Sequence, residues 1–392
     1  MAVMKHPPHS LSAQKQRGFS LVEILVGVVI GLIGVTVMFQ MMAIWGNHER
    51  STTSGGELQT AGAIGMFSLE RDLKSGGLGF STARPPAAGG VAGCTVNGID
   101  NGRAFTFPLQ AIAIAPGVGG APDTITVTYG NSSFFVTGET FKDSSAFTKK
   151  TDRRNGFKTG DLAVVADPST IPVNCTLVEI TSDANPDLYT LDHANVAYVT
   201  SYAPVGAPPV NARFNPAGGT GALYAAGQIY SLGPNPQSNV WQIFQDPVTR
   251  VRSLRRTDQI HNTVVDVAEH VVNLKAEYGI DANGDGIIQA AEWGTAAPVD
   301  PTALLAVRLA ILVRGAQFEK SRDPSAAGAA TAVTPVAPVW AERDAAHRFL
   351  MTNVDGTLDT FDATQADPNN WRYYRYRVYE KVIPLRNMLW GL

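Results

Sequence analysis

Residues 18–45 read GFSLVEILVGVVIGLIGVTVMFQMMAIW, a nearly continuous apolar run close to the N-terminus. Residues 24–45 alone make 22 positions, counted inclusively. A helix that rises about 1.5 Å per residue would carry these positions about 33 Å. Because the hydrocarbon core of a bilayer is about 30 Å thick, the run predicts one transmembrane helix.

The segment before this run is basic and polar. It contains Lys5, Lys15 and Arg17 and no acidic residue. Because cytoplasmic flanks carry the excess of Lys and Arg, this leader is expected in the cytoplasm and the rest of the chain across the membrane. A secretory signal peptide does not fit, because its apolar core would be shorter and its small-residue cleavage site would follow that core.

Glu23 is the only acid within the apolar run. An ionisable side chain inside a membrane segment is costly without a partner, so Glu23 is a candidate functional residue that a plain anchor leaves unexplained. The string GFSLVE at residues 18–23 resembles the type IV prepilin cleavage motif. The resemblance implies that prepilin peptidase cuts between Gly18 and Phe19, that Phe19 is then N-methylated, and that Glu23 guides assembly by pairing with a neighbouring subunit's new N-terminal amine.

The helix is expected to continue beyond the membrane with an amphipathic face. Leu69 and Leu73 lie on its apolar side at helical spacing, whereas Asp72 is assigned to the polar side. Gly76-Gly77 is a plausible stop. The fold expected from the resemblance is α+β and pilin-like, with a long N-terminal helix packed on a large, mainly antiparallel β head. The expected parts are a cleaved leader at 1–18, a transmembrane and assembly helix at 19–46, its amphipathic continuation at 47–77, and the head at 78–392.

The head is predicted to be rich in strands, because from about residue 80 short β-branched runs alternate with turn signals. The predicted strands are 105–114, 123–129, 162–166, 176–180, 239–244, 264–278 and 306–313. The segment 371–377 interleaves aromatic and basic residues, which some nucleic-acid surfaces also do. Its alternation favours a half-buried strand, and the net charge of −3 gives no sign of a nucleic-acid partner.

Residues 281–292, DANGDGIIQAAE, match the twelve-residue calcium loop of EF-hand proteins at its diagnostic positions. Gly286 would permit the sharp turn of that loop. The alternative is an Asx-rich turn without a metal. Valines precede the loop, so strands rather than helices are expected to flank it. The predicted calcium ligands are the side chains of Asp281, Asn283 and Asp285, the carbonyl of Ile287, Gln289 directly or through water, and the bidentate carboxylate of Glu292.

Four segments resemble the PilW family of minor pilins. They are 69–77, 271–285 followed by Trp293, 306–314, and 379–387. Residues 90–240 show no such resemblance and are interpreted as a family-variable insertion. The PilW family is itself similar to the J-type pseudopilin of type II secretion, which is the closest alternative.

The resemblance implies a structural, non-catalytic minor pilin that helps to prime type IV pilus assembly, sits in the tip complex, and carries a structural calcium ion. Twitching motility and cell adhesion are the processes such a fibre serves. The implied partners are prepilin peptidase, other minor pilins, the major pilin, a tip-associated adhesin and the inner-membrane assembly platform. The head would lie in the periplasm before assembly and at the extracellular fibre tip afterwards.

The sequence shows no GxSxG, HExxH or P-loop motif, which favours a protein that is not an enzyme. A membrane-tethered, calcium-dependent adhesin or hydrolase that uses prepilin processing remains an alternative. Cys94 and Cys175 are the only cysteines, 81 positions apart, and match no zinc motif. They would be a disulfide in an oxidising compartment and thiols in the cytosol. The prepilin topology therefore predicts the disulfide.

Overall fold

The computed structural model describes residues 18, 20–85, 90–132, 137–142, 144–152, 156–170, 172–185, 189–220, 224, 226–319, 332–341, 347–359 and 367–389. Most of the leader, together with Phe19, lies outside this part of the chain. The chain divides into two compact units, Met1–Ser54 and Gly55–Leu392.

The first unit contains the apolar start of helix α1, which runs over Leu21–Ser75. Within it, Leu21–Met42 is 22 residues long, apolar enough to cross a bilayer, and not buried by other parts of the protein. A fully exposed apolar surface of this length is stable only in a lipid or protein environment. The predicted N-terminal apolar helix is therefore confirmed.

The second unit begins at Gly55, inside α1, so it includes most of the helix continuation that was expected to pack on the head. The reason is packing, because Leu58, Leu69 and Leu73 of the helix are all buried in the core of the head. The helix ends at Ser75, where the Gly76 amide donates to the Leu73 carbonyl at 3.1 Å.

Twenty strands follow α1 in the described residues, and a short helix, α2, covers Arg386–Leu389. The strands are β1 Thr95–Asp100, β2 Arg103–Pro108, β3 Ile112–Ala115, β4 Thr124–Tyr129, β5 Glu139–Lys142, β6 Thr148–Thr151, β7 Leu162–Asp167, β8 Asn174–Glu179, β9 Ser182–Asn185, β10 Thr190–Asp192, β11 Ala197–Tyr198, β12 Val210–Asn211, β13 Gly227–Gly233, β14 Gln237–Gln245, β15 Arg252–Asp258, β16 Thr263–Glu269, β17 Val271–Ile280, β18 Trp293–Gly294, β19 Leu304–Arg314 and β20 Tyr376–Pro384.

These strands form three larger sheets and the small pair β11-β12. The nine-stranded sheet has the order β2-β1-β8-β7-β13-β5-β6-β10-β9, the five-stranded sheet β16-β15-β14-β4-β3, and the four-stranded sheet β18-β17-β19-β20. β1 and β8 pair in parallel, and the long pairs β17-β19 and β19-β20 are antiparallel. The predicted α+β arrangement with a large, mostly antiparallel β domain is thus confirmed.

The α1 segment from Gly55 onward packs on the five- and four-stranded sheets. Its leucines share one apolar cluster with Trp241 of β14, Ile311 of β19 and Ile383 of β20. At Gly62 the helix meets β20 so closely that a Cβ there would lie 2.0 Å from Cε2 of Tyr379. A glycine is required at this contact because any side chain would overlap the ring.

Three of the predicted strands differ in the structure. The range 105–114 contains two strands, β2 and β3, and the range 264–278 is a hairpin of β16 and β17. His270, between β16 and β17, has φ of +63° and forms a left-handed turn. The sequence pattern does not indicate this turn, because valines lie on both sides of it. In 371–377, Trp371–Tyr373 is a 3-10 turn capped by the Asn370 side chain, and the strand begins only at Tyr376.

Residues 90–240 contribute strands to two of the larger sheets. Most of their strands build the nine-stranded sheet, but β3 and β4 belong to the five-stranded sheet, where β4 pairs with β14. The two parts of the head therefore share strands from the same stretch of chain, and the range cannot be removed without breaking the sheet beneath α1.

Candidate functional site

The N-terminal site is built around the first turn of α1. The Val22 amide donates to Ser20 Oγ, and the Ser20 amide donates to Glu23 Oε2, each at 3.3 Å. The pair resembles a capping box, except that Ser20 Oγ accepts from the second helical amide and not the third. Both bonds satisfy amide groups that the first helical turn leaves free. Gly18 is exposed, and Phe19, the predicted methylated residue, lies outside the described residues.

Glu23 thus has a local role that the sequence did not reveal. Its side chain is exposed, and within the described part of the chain no cationic side chain pairs with it. The helix dipole favours an acid in the first turn. The first turn of α1 therefore favours an acidic side chain at this position.

The predicted calcium loop is a series of tight turns held by Asp281. Its Oδ1 accepts from the amides of Gly284 at 2.8 Å and Asp285 at 3.1 Å, and its Oδ2 accepts from Gly286 at 2.8 Å. Gly284 and Gly286 have φ of +73° and +78°. Both values lie in the left-handed region that favours glycine, and Gly286 occupies the turn position of the motif.

Glu292 closes the loop from its other end. Its Oε1 accepts from the Ala282 amide at 3.1 Å and its Oε2 from the Gln289 amide at 2.8 Å. Hydrogen bonds from the Ile287 amide and from the Asn283 side chain, in that order, lower the pKa of Asp285. The Asp285 carboxylate is therefore charged at neutral pH.

Strands position this loop, as the valines before it indicated. β17 ends at Ile280, and β18 begins at Trp293 and pairs with Tyr278 and Gly279. Ile288 and Trp293 lie over Gly279, where a Cβ would come within 2.8 Å of Ile288 Cδ1 and of Trp293 Cζ3. Both ends of the loop are therefore anchored on the four-stranded sheet while its middle is exposed.

The donor set of the loop is made of oxygen atoms, which suits Ca²⁺ rather than a transition metal. An ion would be held by the six residues predicted from the sequence, and it would neutralise their charge without supplying any reaction chemistry. In the described structure, no three His, Cys, Asp or Glu side chains come together as a metal-ligand group. The loop carboxylates instead accept hydrogen bonds from its own amides, so the side chains must reorient to bind the ion.

Cys94 and Cys175 form a disulfide with 6.3 Å between their Cα atoms. Both are buried, and Cys175 lies beside Val96 in the parallel pairing of β1 with β8. The predicted disulfide is confirmed. It links the residue just before β1 to the neighbouring strand β8 of the nine-stranded sheet.

Asp72 is a site that the sequence pattern assigned wrongly. It is only 2% exposed rather than on the polar face. Its Oδ1 accepts from the Tyr129 hydroxyl at 2.8 Å, and its Oδ2 accepts from Asn239 Nδ2 at 2.9 Å and Trp241 Nε1 at 2.7 Å. Burial and the neighbouring Asp72 charge raise the pKa of Tyr129. In the sequence, the position of Asp72 between Leu69 and Leu73 was the available sign that its side chain is buried. No local pattern indicates its hydrogen-bond partners, because they come from distant strands.

Two family models match the chain. The Prokaryotic N-terminal methylation motif matches residues 13–39, and Type IV Pilus-assembly protein W matches residues 242–387. The resemblance to the PilW family is confirmed. The matches support a type IV pilus minor pilin that is anchored in a membrane.

The PilW-matched region begins within β14, ends within α2, and includes the calcium loop. Neither match includes residues 40–241, which contain the disulfide and all nine strands of the nine-stranded sheet. No curated protein and no solved structure matches the chain.

Proposed function

We propose that this protein is a structural minor pilin that primes type IV pilus assembly and resides in the tip complex of the fibre. The observation that carries the proposal is the joint presence of both family matches at the two ends of one chain. The exposed apolar segment Leu21–Met42 begins within the first of these matches. Such a segment supports retention of the anchor after cleavage ahead of it.

The proposed role needs no catalysis, because the matching family model is described as a pilus-assembly protein. Prepilin peptidase would remove the leader at Gly18. Other minor pilins, the major pilin, a tip-associated adhesin and the inner-membrane platform would be the later partners. The head would pass from the periplasm to the outside of the cell as the fibre grows.

Calcium would serve this role as a structural ion in the loop 281–292. The support is the oxygen-only donor set, the left-handed turn at Gly286, and the anchoring of both loop ends on β17 and β18. Outside the cytosol, sites with Kd of about 10⁻⁴–10⁻³ M are sufficient. The ion would hold the charged, exposed middle of the loop in a single arrangement.

Processing is tested by Gly18→Glu in piliated cells that lack the native copy. A large charged side chain at the cleavage position should leave uncleaved precursor in the membrane and few fibres. Gly18→Ala, which keeps a small residue, is the matched control and should be cut. Mass spectrometry should find methylated Phe19 at the mature N-terminus, and any other N-terminus would contradict the assignment.

The tip position is tested by gold labelling of an epitope-tagged head on sheared fibres. Gold at fibre ends is the expected result, whereas gold along the shaft would contradict the tip role. Deletion should reduce fibre number. Normal fibres combined with lost protein secretion would instead identify a type II secretion pseudopilin.

A further inference from the structure

A small, partly open pocket lies at one end of the four-stranded sheet, away from the calcium loop. Arg252 at the start of β15, Arg314 at the end of β19, and Tyr376 at the start of β20 all line it. Thr352 completes the polar part of the lining, and apolar side chains of β17, of β19 and of the segment before Thr352 make the rest. The pocket has about 200 Å³ of free space including its opening, and its enclosed end accommodates one atom about the size of a water oxygen.

The two guanidinium groups in this pocket have no acidic partner among the described residues. Arg314 is only 6% exposed. Burial, and next the charge of Arg314, lower the pKa of Arg252. Arginine nevertheless keeps its proton in proteins, so it cannot escape this environment by becoming neutral. Two like charges therefore remain close together in a poorly hydrated place, which is unfavourable without a counter-ion.

Neutral groups compensate only part of this charge. Arg252 donates to the Val272 carbonyl at 3.3 Å and to Gln245 Oε1 at 3.5 Å. Arg314 lies over the ring of Tyr374 at 5.1 Å, and its side chain also donates a hydrogen bond to the Tyr376 hydroxyl. The buried hydroxyl oxygen of Thr352 has no hydrogen-bond partner in the part of the chain that the structure describes. The Arg252 and Arg314 side chains and the Thr352 hydroxyl thus line a space that one small anion would fill.

We propose that this pocket is a binding site for a single carboxylate group. A carboxylate matches the planar fork of a guanidinium group and accepts hydrogen bonds from two arginines at once. One oxygen fits the enclosed end, where the Thr352 hydroxyl donates to it, and the remainder of the group faces the opening. The carboxylate comes from a free organic acid or from an acidic side chain of a neighbouring subunit.

The test is thermal unfolding of the full-length chain in detergent, followed by tryptophan fluorescence. Sodium acetate is titrated at constant ionic strength against the sodium salt of a bulky morpholine sulfonate. Acetate should raise the Tm of the wild type by about 2–4 °C at ten times its Kd. Arg314→Gln should lose this rise. Arg377→Gln is the matched control, because Arg377 is an exposed arginine next to Tyr376, and it should keep the rise.

A second comparison separates anion binding from a merely structural role of Arg314. Without acetate, Arg314→Gln should be at least as stable as the wild type, because the repulsion between the buried Arg314 and the half-buried Arg252 is gone. With acetate, the Tm of the wild type should exceed that of Arg314→Gln. Should Arg314→Gln fail to fold, Arg252→Lys serves instead. Lysine keeps the positive charge but lacks the planar guanidinium group that binds a carboxylate through two hydrogen bonds. This variant should therefore need about tenfold more acetate for the same rise in Tm.

A further arm identifies the source of the carboxylate. N-acetylglutamate amide represents a side chain from a neighbouring subunit. A rise equal to that with acetate points to such a source, whereas a rise with acetate alone points to a small free acid. The proposal is overturned if acetate gives wild type and Arg314→Gln the same rise, if no variant responds, or if chloride matches acetate at equal concentration.

Discussion

Trp241 donates a hydrogen bond from its indole Nε1 to Oδ2 of Asp72 at 2.7 Å, across 169 positions of sequence. Trp241 is 1% exposed and Asp72 2%. The bond fixes the last turns of α1 to β14 in the centre of the five-stranded sheet. A charged acceptor inside an apolar cluster is tolerable because three donors converge on it.

Asp72→Ala should destabilise the head strongly. Three buried donors would lose their acceptor, and an unsatisfied buried group costs about 1–3 kcal/mol. We expect the free energy of unfolding to fall by about 3–5 kcal/mol, since relaxation lets some donors find new partners. Chemical denaturation measures it. Arg71→Ala, at the exposed neighbouring position, should change it by less than about 0.5 kcal/mol, and equal effects at both positions would contradict the role of Asp72.

Glu23→Gln separates the charge of Glu23 from its helix cap. Glutamine also caps in the S-x-x-E/Q pattern, so α1 should begin as before and membrane insertion should be normal. Incorporation into sheared fibres should nevertheless fall to a small fraction of the wild-type level, because the cation of a neighbouring subunit loses its partner. Immunoblots of membranes and fibres measure both. Wild-type incorporation of Glu23→Gln would assign the residue to capping alone.

The contact between α1 and β20 predicts opposite effects for two glycines of one helix. Gly62→Ala places a Cβ against the Tyr379 ring and should cost about 1–3 kcal/mol by overpacking. Gly56→Ala meets no atom within 4 Å, so it should stabilise by up to about 1 kcal/mol through helix propensity. Chemical denaturation of both variants checks the signs. A stabilising Gly62→Ala would contradict the close packing.

Acid should destabilise the head through His193. This residue is fully buried, and Lys149 Nζ lies 3.2 Å from its Nε2. Burial first, and the Lys149 charge second, lower the pKa of His193 to about 3. The unfolded chain binds a proton near pH 6.5, so between those two values it holds more protons than the folded chain, and stability falls as the pH falls.

The expected loss from His193 is about 2–3 kcal/mol between pH 7 and pH 4. His193→Gln should remove this part of the pH dependence, because its side-chain oxygen still accepts from Lys149 without titrating. Lys149 does not contribute in this window, since burial lowers its pKa only to about 8. Denaturant titrations at several pH values measure the slope. His270→Asn, at a partly exposed turn, should leave it unchanged.

What the sequence predicted well was local and contiguous. The apolar run and the prepilin motif each occupy one uninterrupted stretch, so their patterns can be recognised without knowledge of the fold. The turn at His270 was missed because β-branched residues continue on both sides of it. Asp72 was misplaced, and the pocket of Arg252 and Arg314 went unnoticed, because their partners come from strands far away in the chain.

Calcium should raise the Tm of the full-length chain in detergent, and the loop geometry shows which residues decide this. Asp285 is the fifth position of the loop, and its carboxylate accepts hydrogen bonds from the Asn283 side chain at 2.9 Å and the Ile287 amide at 2.8 Å. Calcium binding must reorient this exposed carboxylate toward the ion. Asp285→Ala should therefore abolish the rise while leaving the metal-free Tm nearly unchanged.

Asp246→Ala is the matched control for the calcium experiment. Asp246 also closes an exposed turn, by accepting from the Val248 amide at 2.8 Å and the Thr249 amide at 2.7 Å, but it lies outside the loop. Its variant should keep the full calcium response, about 2–4 °C at ten times Kd. Magnesium at the same concentration should produce a smaller rise, because it demands a tighter octahedron than this seven-oxygen type of loop provides. Calorimetry that shows no heat of binding at millimolar calcium would leave an Asx-rich turn in place of the metal site.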